Sequence, residues 1–221
     1  MSGSMLTPAA FCDELPPTAR EMFIKWGRFL YSTVDFNMPD SPLHAKSHCE
    51  RVLFHALMMG AMEMGDDDVE ALEILAHASI FHDTRRQDDS LDTGHGARAA
   101  VHYEDFCREH PDEIVFHPEA VYLMRYHDLD DSRGIKAIRK AFPDKSERVG
   151  KLYAIFKDAD ALDRWRLGRW GLDEKYLRTP SSHRLVGKAR ELVGATMNPK
   201  ILAYYDNLID TMMQERKGHH N

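Results

Sequence analysis

The sequence predicts an all-α protein with a single domain. Apolar residues recur with helical spacing almost throughout the chain, and no alternating polar and apolar run is long enough to indicate a β-strand. Glycines, prolines and polar loops separate the periodic segments. A chain of 221 residues with 43% hydrophobic content can bury one sizeable core.

Nine helices follow from this periodicity and its breaks. Prolines at 39 and 42 precede the second helix, Gly65 separates the second from the third, and the polar loop 87–94 precedes the fourth. Ser181 and Asn198 offer N-cap chemistry for the last two helices. The expected helices span residues 17–33, 43–64, 67–83, 95–109, 118–128, 132–142, 145–166, 181–196 and 198–216.

The predicted domain covers residues 17–216. Residues 1–16 are expected to form an N-terminal extension whose first four residues resemble an expression scar, and residues 217–221, with His219 and His220, a frayed tail. Helices 181–196 and 198–216 carry apolar faces, which we expect to complete the core rather than to pair with another subunit. The oligomeric state stays open.

Composition narrows the class of protein. The chain has 29 Lys and Arg against 36 Asp and Glu, a net charge of −7, which is unfavourable for binding a long nucleic acid. No apolar run is long enough to cross a bilayer, and the N-terminus lacks a signal-peptide pattern, so a soluble cytoplasmic protein without a membrane partner is expected. The three cysteines, Cys12, Cys49 and Cys107, have no metal-binding or disulfide spacing and are interpreted as reduced thiols.

Histidines and aspartates occur along the chain in the order H…HD…H…H…D, which is typical of metal ligands. The candidate ligands are His48, His82, Asp83, His95, His127 and Asp160. His82 and Asp83 follow an apolar helical run, where burying two polar groups is costly unless a metal ion compensates. Imidazole and carboxylate donors favour Fe or Mn, with Zn, Co or Ni also suitable, over Ca or Mg.

Other polar residues near these positions have weaker claims. His44 and His55 share a helix face with His48, and each is more typical of a hydrogen-bonded core histidine than of a ligand. Asp158 is rotated about 200° from Asp160 on the same helix, so it is expected to be solvated. Asp163 and Arg164 are predicted to pair with each other, to line the cleft or to be surface charges.

Three motifs together resemble the HD superfamily of metal-dependent phosphohydrolases. His48 lies in an H-x-x-x-H-x-x-R-V motif at 44–52, His82 and Asp83 form the HD dipeptide, and Asp160 lies in an A-D-A-L-D motif at 159–163. The resemblance implies an HD-type helical fold with a metal ion held between helices. Arg85 departs from the glycine of many relatives, which leaves the subfamily open.

His95, in Gly-His-Gly, and His127, in Tyr-His-Asp, resemble the extra histidines of binuclear members of this superfamily. The resemblance implies that His48, His82, Asp83 and Asp160 hold one ion, while His95 and His127 hold a second and Asp83 bridges the two. The alternative is that His95 is an ordinary loop residue and His127 a helix-terminal histidine.

The leading functional hypothesis is hydrolysis of a phosphoester of a small molecule, such as a nucleotide, by metal-activated water. Asp83, Arg86 and Lys157 are the candidate catalytic residues. The cations expected to bind the anionic substrate are Arg51, Arg85, Arg86, Lys157 and Arg164. Two alternatives stay open: a di-iron oxygenase of the same superfamily, which would cleave a C–C or C–P bond, and a non-catalytic nucleotide sensor.

Overall fold

The computed structural model describes the backbone of residues 6–218 and the side chains of residues 6–208. Residues 1–4 and the histidines at 219 and 220 lie outside this described part. Nine α-helices are present in it, and no β-strand, which confirms the predicted fold class. The helices are α1 (Pro17–Ser32), α2 (Lys46–Met64), α3 (Val69–Phe81), α4 (His95–Glu109), α5 (Pro118–Tyr126), α6 (Asp131–Ala141), α7 (Ser146–Leu162), α8 (Pro180–Thr196) and α9 (Pro199–Gly218).

The helix ends differ from the prediction at three positions that matter for the site. The third helix ends at Phe81 rather than at residue 83, so His82 is its C-cap and Asp83 lies in the following turn. The fifth helix likewise ends at Tyr126, with His127 as its C-cap. The seventh ends at Leu162, and the chain continues as a 3₁₀ segment, Asp163–Leu167. Helical periodicity alone does not mark these ends, because the cap residues keep nearly helical backbone angles.

Helix α2 lies at the centre of the fold and packs against α1, α3, α7 and α8. Its side chains are buried on nearly every face, as expected of a helix enclosed by others. Trp26 of α1, Phe54 of α2, Phe81 at the end of α3 and Phe156 of α7 are each at most 1% exposed within this core. The central position of α2 fixes one side of the candidate site, since His48 lies in its first turns.

The chain after α7 folds back along the helix and is held there by Asp158. This carboxylate is fully buried and accepts hydrogen bonds from the backbone N–H of Arg178 and Thr179 and from the hydroxyls of Thr179 and Ser182. The prediction that Asp158 is solvated is therefore wrong. Its position is rotated away from Asp160 as expected, but that side of α7 is covered by the start of α8.

The last two helices differ in how they pack. Helix α8 buries Leu192 in the main core, as expected, whereas Val193 and Met197 form a small separate cluster with Leu43. Ile201, Leu202 and Tyr205 of α9 pack against that cluster. Ile209 and Met212, also assigned to the apolar face, lie outside the described side chains. No helix among the described residues is long and apolar enough to cross a membrane.

Candidate metal centre

Two histidines and an aspartate from α2 and the end of α3 meet inside the protein. His48 Nε2 lies 3.1 Å from His82 Nε2 and 3.4 Å from Asp83 Oδ2. All three side chains are at most 4% exposed. Asp160 of α7 completes the group, with its Oδ1 atom 3.5 Å from His48 Nε2 and 4.0 Å from His82 Nε2. The structure therefore brings together His48, His82 and Asp83, and it places Asp160 beside the two histidines.

The second carboxylate oxygen of Asp83 faces a different pair of histidines. His95 Nε2, at the start of α4, lies 3.1 Å from Asp83 Oδ1, and His127 Nε2 lies 3.9 Å from the same oxygen. The two histidine nitrogens are 2.9 Å apart. Asp83 thus directs one oxygen to each pair of histidines, which is the arrangement of a carboxylate that bridges two ions.

Each of the four histidines has its other ring nitrogen fixed by an acceptor. The Nδ1–H groups of His82, His95 and His127 donate to the backbone carbonyls of Ser79, Asp92 and Met124, at 2.9, 2.6 and 2.7 Å. His48 Nδ1 donates to Asp163 Oδ2 at 2.7 Å. These bonds select the tautomer in which Nε2 carries a lone pair, as in most metal-binding histidines.

These histidine pairs fit metal ions. In both pairs, two Nε2 atoms face each other at 3.1 and 2.9 Å. Burial lowers the pKa of His82 to about 3 and also lowers the pKa of His127, so both rings stay neutral and able to bind a cation. Two ligands about 2.1 Å from one ion, at an angle of about 90–109°, stand about 3.0–3.4 Å apart, close to the observed separations. Asp83 Oδ1 is also buried without a hydrogen-bond partner among the described residues.

Electrostatics around the aspartates agrees with this assignment. Burial alone would raise the pKa of Asp83, but the histidines beside it hold the pKa well below its usual range. Asp160 is likewise kept ionised by His48 and His82. His95 differs from His82 and His127: burial lowers its pKa, yet the neighbouring Asp83 carboxylate outweighs that effect and raises it. Both carboxylates are therefore anionic and ready to bind a cation.

A buried ion pair supports the first histidine. Asp163 accepts from Arg51 Nε at 2.6 Å and from Arg51 Nη2 at 3.1 Å, and it also holds His48. Asp163 is fully buried and Arg51 is 1% exposed. Arg51 is therefore a support of Asp163 and lies away from the space a substrate could enter. Asp163 does not pair with Arg164, one of the three alternatives left by the sequence.

A cavity of about 460 Å³ opens beside the two ion positions. Asp83, His95, His127 and Asp160 lie in its wall, together with Arg86 and Arg164. The loop between α3 and α4 forms one rim and the 3₁₀ segment after α7 another. The cavity is large enough to admit a small molecule to both groups of His and Asp side chains.

The predicted substrate-binding cations occupy different surroundings. Arg86 lines the cavity, but its guanidinium donates to the carbonyls of Asp88 and Ser90 and so orders the loop. Arg85 turns away and pairs with Asp35, at 2.9 Å. Lys157 is 9% exposed at its side chain and donates to Asp131 at 2.5 Å and to the carbonyl of Leu129.

The structure therefore does not bring Arg51, Arg85 or Lys157 to the cavity, contrary to their predicted contact with substrate. The physical reason is the same for all three cations: each forms an ion pair with a carboxylate outside the cavity. Arg86 and Arg164 are the two predicted cations that do line the cavity.

Sequence reasoning missed three features of the site. Asp163, predicted to pair with Arg164, to line the cleft or to be a surface charge, instead holds His48. His44 and Asp89 form a hydrogen-bonded pair, 2.9 Å apart, in the cavity wall. Arg166 also lines the cavity, and no local pattern distinguishes it from the surface cations around it.

Comparison of the chain with protein-family models, with curated proteins and with solved structures found no match. Membership of the HD superfamily therefore stays a prediction from the motifs. Two buried groups of His and Asp side chains, each able to hold a metal ion, are the firm result: His48, His82 and Asp83 form the first, and Asp83, His95 and His127 the second.

Proposed function

We propose that this chain is a metal-dependent phosphohydrolase that cleaves a phosphoester of a small molecule such as a nucleotide. The observation that carries the proposal is the placement of Asp83, whose two oxygens face two separate pairs of histidine Nε2 atoms. The motif order that resembles the HD superfamily supports it independently. A cavity with arginines in its wall, beside the ion positions, suits an anionic substrate.

The residues divide the work as follows. His48, His82, Asp83 and Asp160 would hold one ion, and Asp83, His95 and His127 the other. Divalent ions bound there would lower the pKa of a water molecule and offset negative charge on a phosphoryl group. The four Nδ1–H hydrogen bonds keep the imidazoles in place, so the site needs little rearrangement to bind metal ions. We favour Fe or Mn, while Zn, Co and Ni also suit these donors.

Arg86 and Arg164 contribute positive charge near the reacting groups. Arg86 Nη1 lies 3.7 Å from Asp83 Oδ1, and its bonds to the loop carbonyls hold the rim next to His95. Arg164 lies on the opposite rim and can approach a bound anion directly. Arg86 therefore shapes the entrance and Arg164 contacts substrate.

The first experiment counts metal ions per chain by elemental mass spectrometry and measures phosphate release from a panel of phosphoesters. We expect near two equivalents of metal, falling toward one in His127→Ala. Asp83→Ala should lose metal and activity together, whereas Arg86→Ala should keep its metal and need more substrate. Asp173→Ala, at an exposed surface carboxylate, serves as the matched control. Retained turnover in Asp83→Ala would refute the scheme.

A di-iron oxygenase remains the second candidate, because four histidines and two aspartates also suit a pair of iron ions. The two activities separate cleanly in the assay. Phosphate release with redox-inert Zn, or with Mn under anaerobic conditions, supports hydrolysis. Oxygen consumption together with a mixed-valent iron signal supports the oxygenase. Metal binding without either activity would favour a nucleotide sensor.

A further inference from the structure

Two arginines of one short segment line the cavity beside the candidate ion positions. Arg164 and Arg166 flank Trp165 in the 3₁₀ segment that follows α7, and both line the cavity. The segment starts at Asp163, which is tied to the metal centre through His48. The arginines are therefore held in a fixed relation to the ions.

Arg166 is a buried cation without a full set of partners. It is 5% exposed, and its Nε donates to the carbonyl of Leu43 at 2.9 Å. Its Nη1 is buried with no hydrogen-bond partner among the described residues. The nearest carboxylate oxygen, Asp163 Oδ2, is 3.8 Å from Nη1 and is already bound by His48 and Arg51. A buried guanidinium with a free nitrogen is costly unless a ligand completes it.

Arg164, by contrast, is exposed as a whole residue, although its guanidinium group is partly buried at the cavity. Its Nε donates to the carbonyl of Gly171 at 2.8 Å, and it makes no other hydrogen bond among the described residues. Burial lowers the pKa of Arg164, and the like charge of Arg166 lowers it further, although Asp160 opposes both effects. Since both guanidinium groups line one cavity and carry like charge, an anion that contacts both would be favoured there.

The acids of the same cavity make their hydrogen bonds with other groups. Asp92 receives two hydrogen bonds from Arg98, both at 2.6 Å. Asp89 accepts from His44 and from the Ser41 hydroxyl. Asp128 accepts from the backbone of Gly94. The remaining two, at positions 83 and 160, face the candidate ion positions. Among the described residues, none of these five carboxylates makes a hydrogen bond with Arg164 or Arg166, so both arginines can donate to a ligand.

We propose that Arg164 and Arg166 form a second anion subsite, and that the natural substrate carries another anionic group, a phosphate or a carboxylate, besides the phosphoryl group at the metal centre. The inference rests on the proposed function for the role of the first site. It narrows the substrate class from any small phosphoester to one with two separate acidic groups. The planar fork of arginine matches phosphate and carboxylate geometry, which suits this role.

The test uses phosphonates, which contain no ester bond to hydrolyse. Alkylphosphonates with one to four methylene groups are compared with the same molecules carrying a terminal carboxylate. Binding to the Mn-loaded protein is measured by calorimetry without oxygen. We expect at least one carboxylate-bearing member to bind about tenfold more tightly than its partner, the value of one good charged contact.

Arg164→Gln and Arg166→Gln should each bring that ratio close to one, and Arg164→Lys should keep only part of it. Arg164 is exposed, so its variants do not depend on the core tolerating a change at Arg166. Arg184→Gln, at an exposed arginine of α8, is the matched control and should keep the full ratio.

Equal affinities within every pair, no binding by the whole series, or a preference that survives both glutamine variants would overturn the proposal. Phosphate release is a separate readout. If the protein prefers the two-anion ligands but hydrolyses no ester, the subsite proposal stands and the proposed function is refuted. If the protein releases phosphate but shows no such preference, only the subsite proposal is refuted.

Discussion

Asp163→Asn tests whether the buried ion pair behind His48 supports both the fold and the metal centre. The substitution keeps the size of the side chain and removes its charge. Arg51, 1% exposed, would lose a carboxylate that holds it through two hydrogen bonds. Removing one partner of a buried ion pair costs about 3–5 kcal/mol, because the other charge stays buried. We expect a loss of unfolding free energy of that size in the metal-free protein.

The same variant should weaken metal binding separately. His48 Nδ1 donates to Asp163 Oδ2, and loss of such a support lowers metal affinity by about 10–100-fold. Chemical unfolding of the metal-free protein gives the first quantity, and competition with a chelator gives the second. Asp173→Asn, at a half-exposed carboxylate paired with Lys175, is the control and should change stability by less than about 0.5 kcal/mol.

The reasoning fails if Asp163→Asn destabilises the metal-free protein by less than about 1 kcal/mol and leaves chelator competition unchanged. A stability loss without a metal effect would refute only the support of His48. A metal effect without a stability loss would mean that solvent or another acid compensates Arg51.

Three further predictions concern other positions. In Gly96→Ala, the new Cβ would lie 2.7 Å from His127 Nδ1 and against the Met124 carbonyl, so metal content should fall toward one equivalent; Gly187→Ala, where nothing lies within 4 Å, should keep both. Burial lowers the pKa of His55 to about 4. Its contribution to stability is therefore complete above about pH 6.5 and is lost as the pH falls, by about 2 kcal/mol at pH 5. His55→Leu should reduce the change of unfolding free energy between pH 7 and pH 5, and an unchanged pH dependence would contradict this. Lys157→Met should lower the melting temperature but not the metal content, and loss of metal would restore a role at the site.

The fold class and the grouping of the ligands could be predicted from sequence for different reasons. Helical periodicity records which faces are buried, so nine helices are predicted and nine are found in the described residues. The ligand series was recognisable because histidine and aspartate are costly to bury, and His82 and Asp83 follow an apolar run. Asp160 gave a weaker signal, and its motif was needed to select it over Asp158.

The cations could not be assigned in this way, because a cation's role depends on which acid is nearest in space. Lys157 and Asp131 are 26 residues apart in sequence, and Arg51 and Asp163 are 112 apart. No local pattern encodes those distances. The prediction that Asp158 is solvated fails for the same reason. The helical angle between Asp158 and Asp160 is as predicted, but the start of α8 covers the side of α7 that carries Asp158.

The ends of helices explain why this site is both buried and accessible. His82 and His127 are C-cap residues, and His95 is the first residue of α4. At these helix ends each ring reaches a carbonyl three residues before it, that of Ser79, Asp92 or Met124, and its Nδ1–H donates to that carbonyl. His48, inside α2, has no such carbonyl and relies on Asp163 instead, which is why a distant carboxylate belongs to the centre.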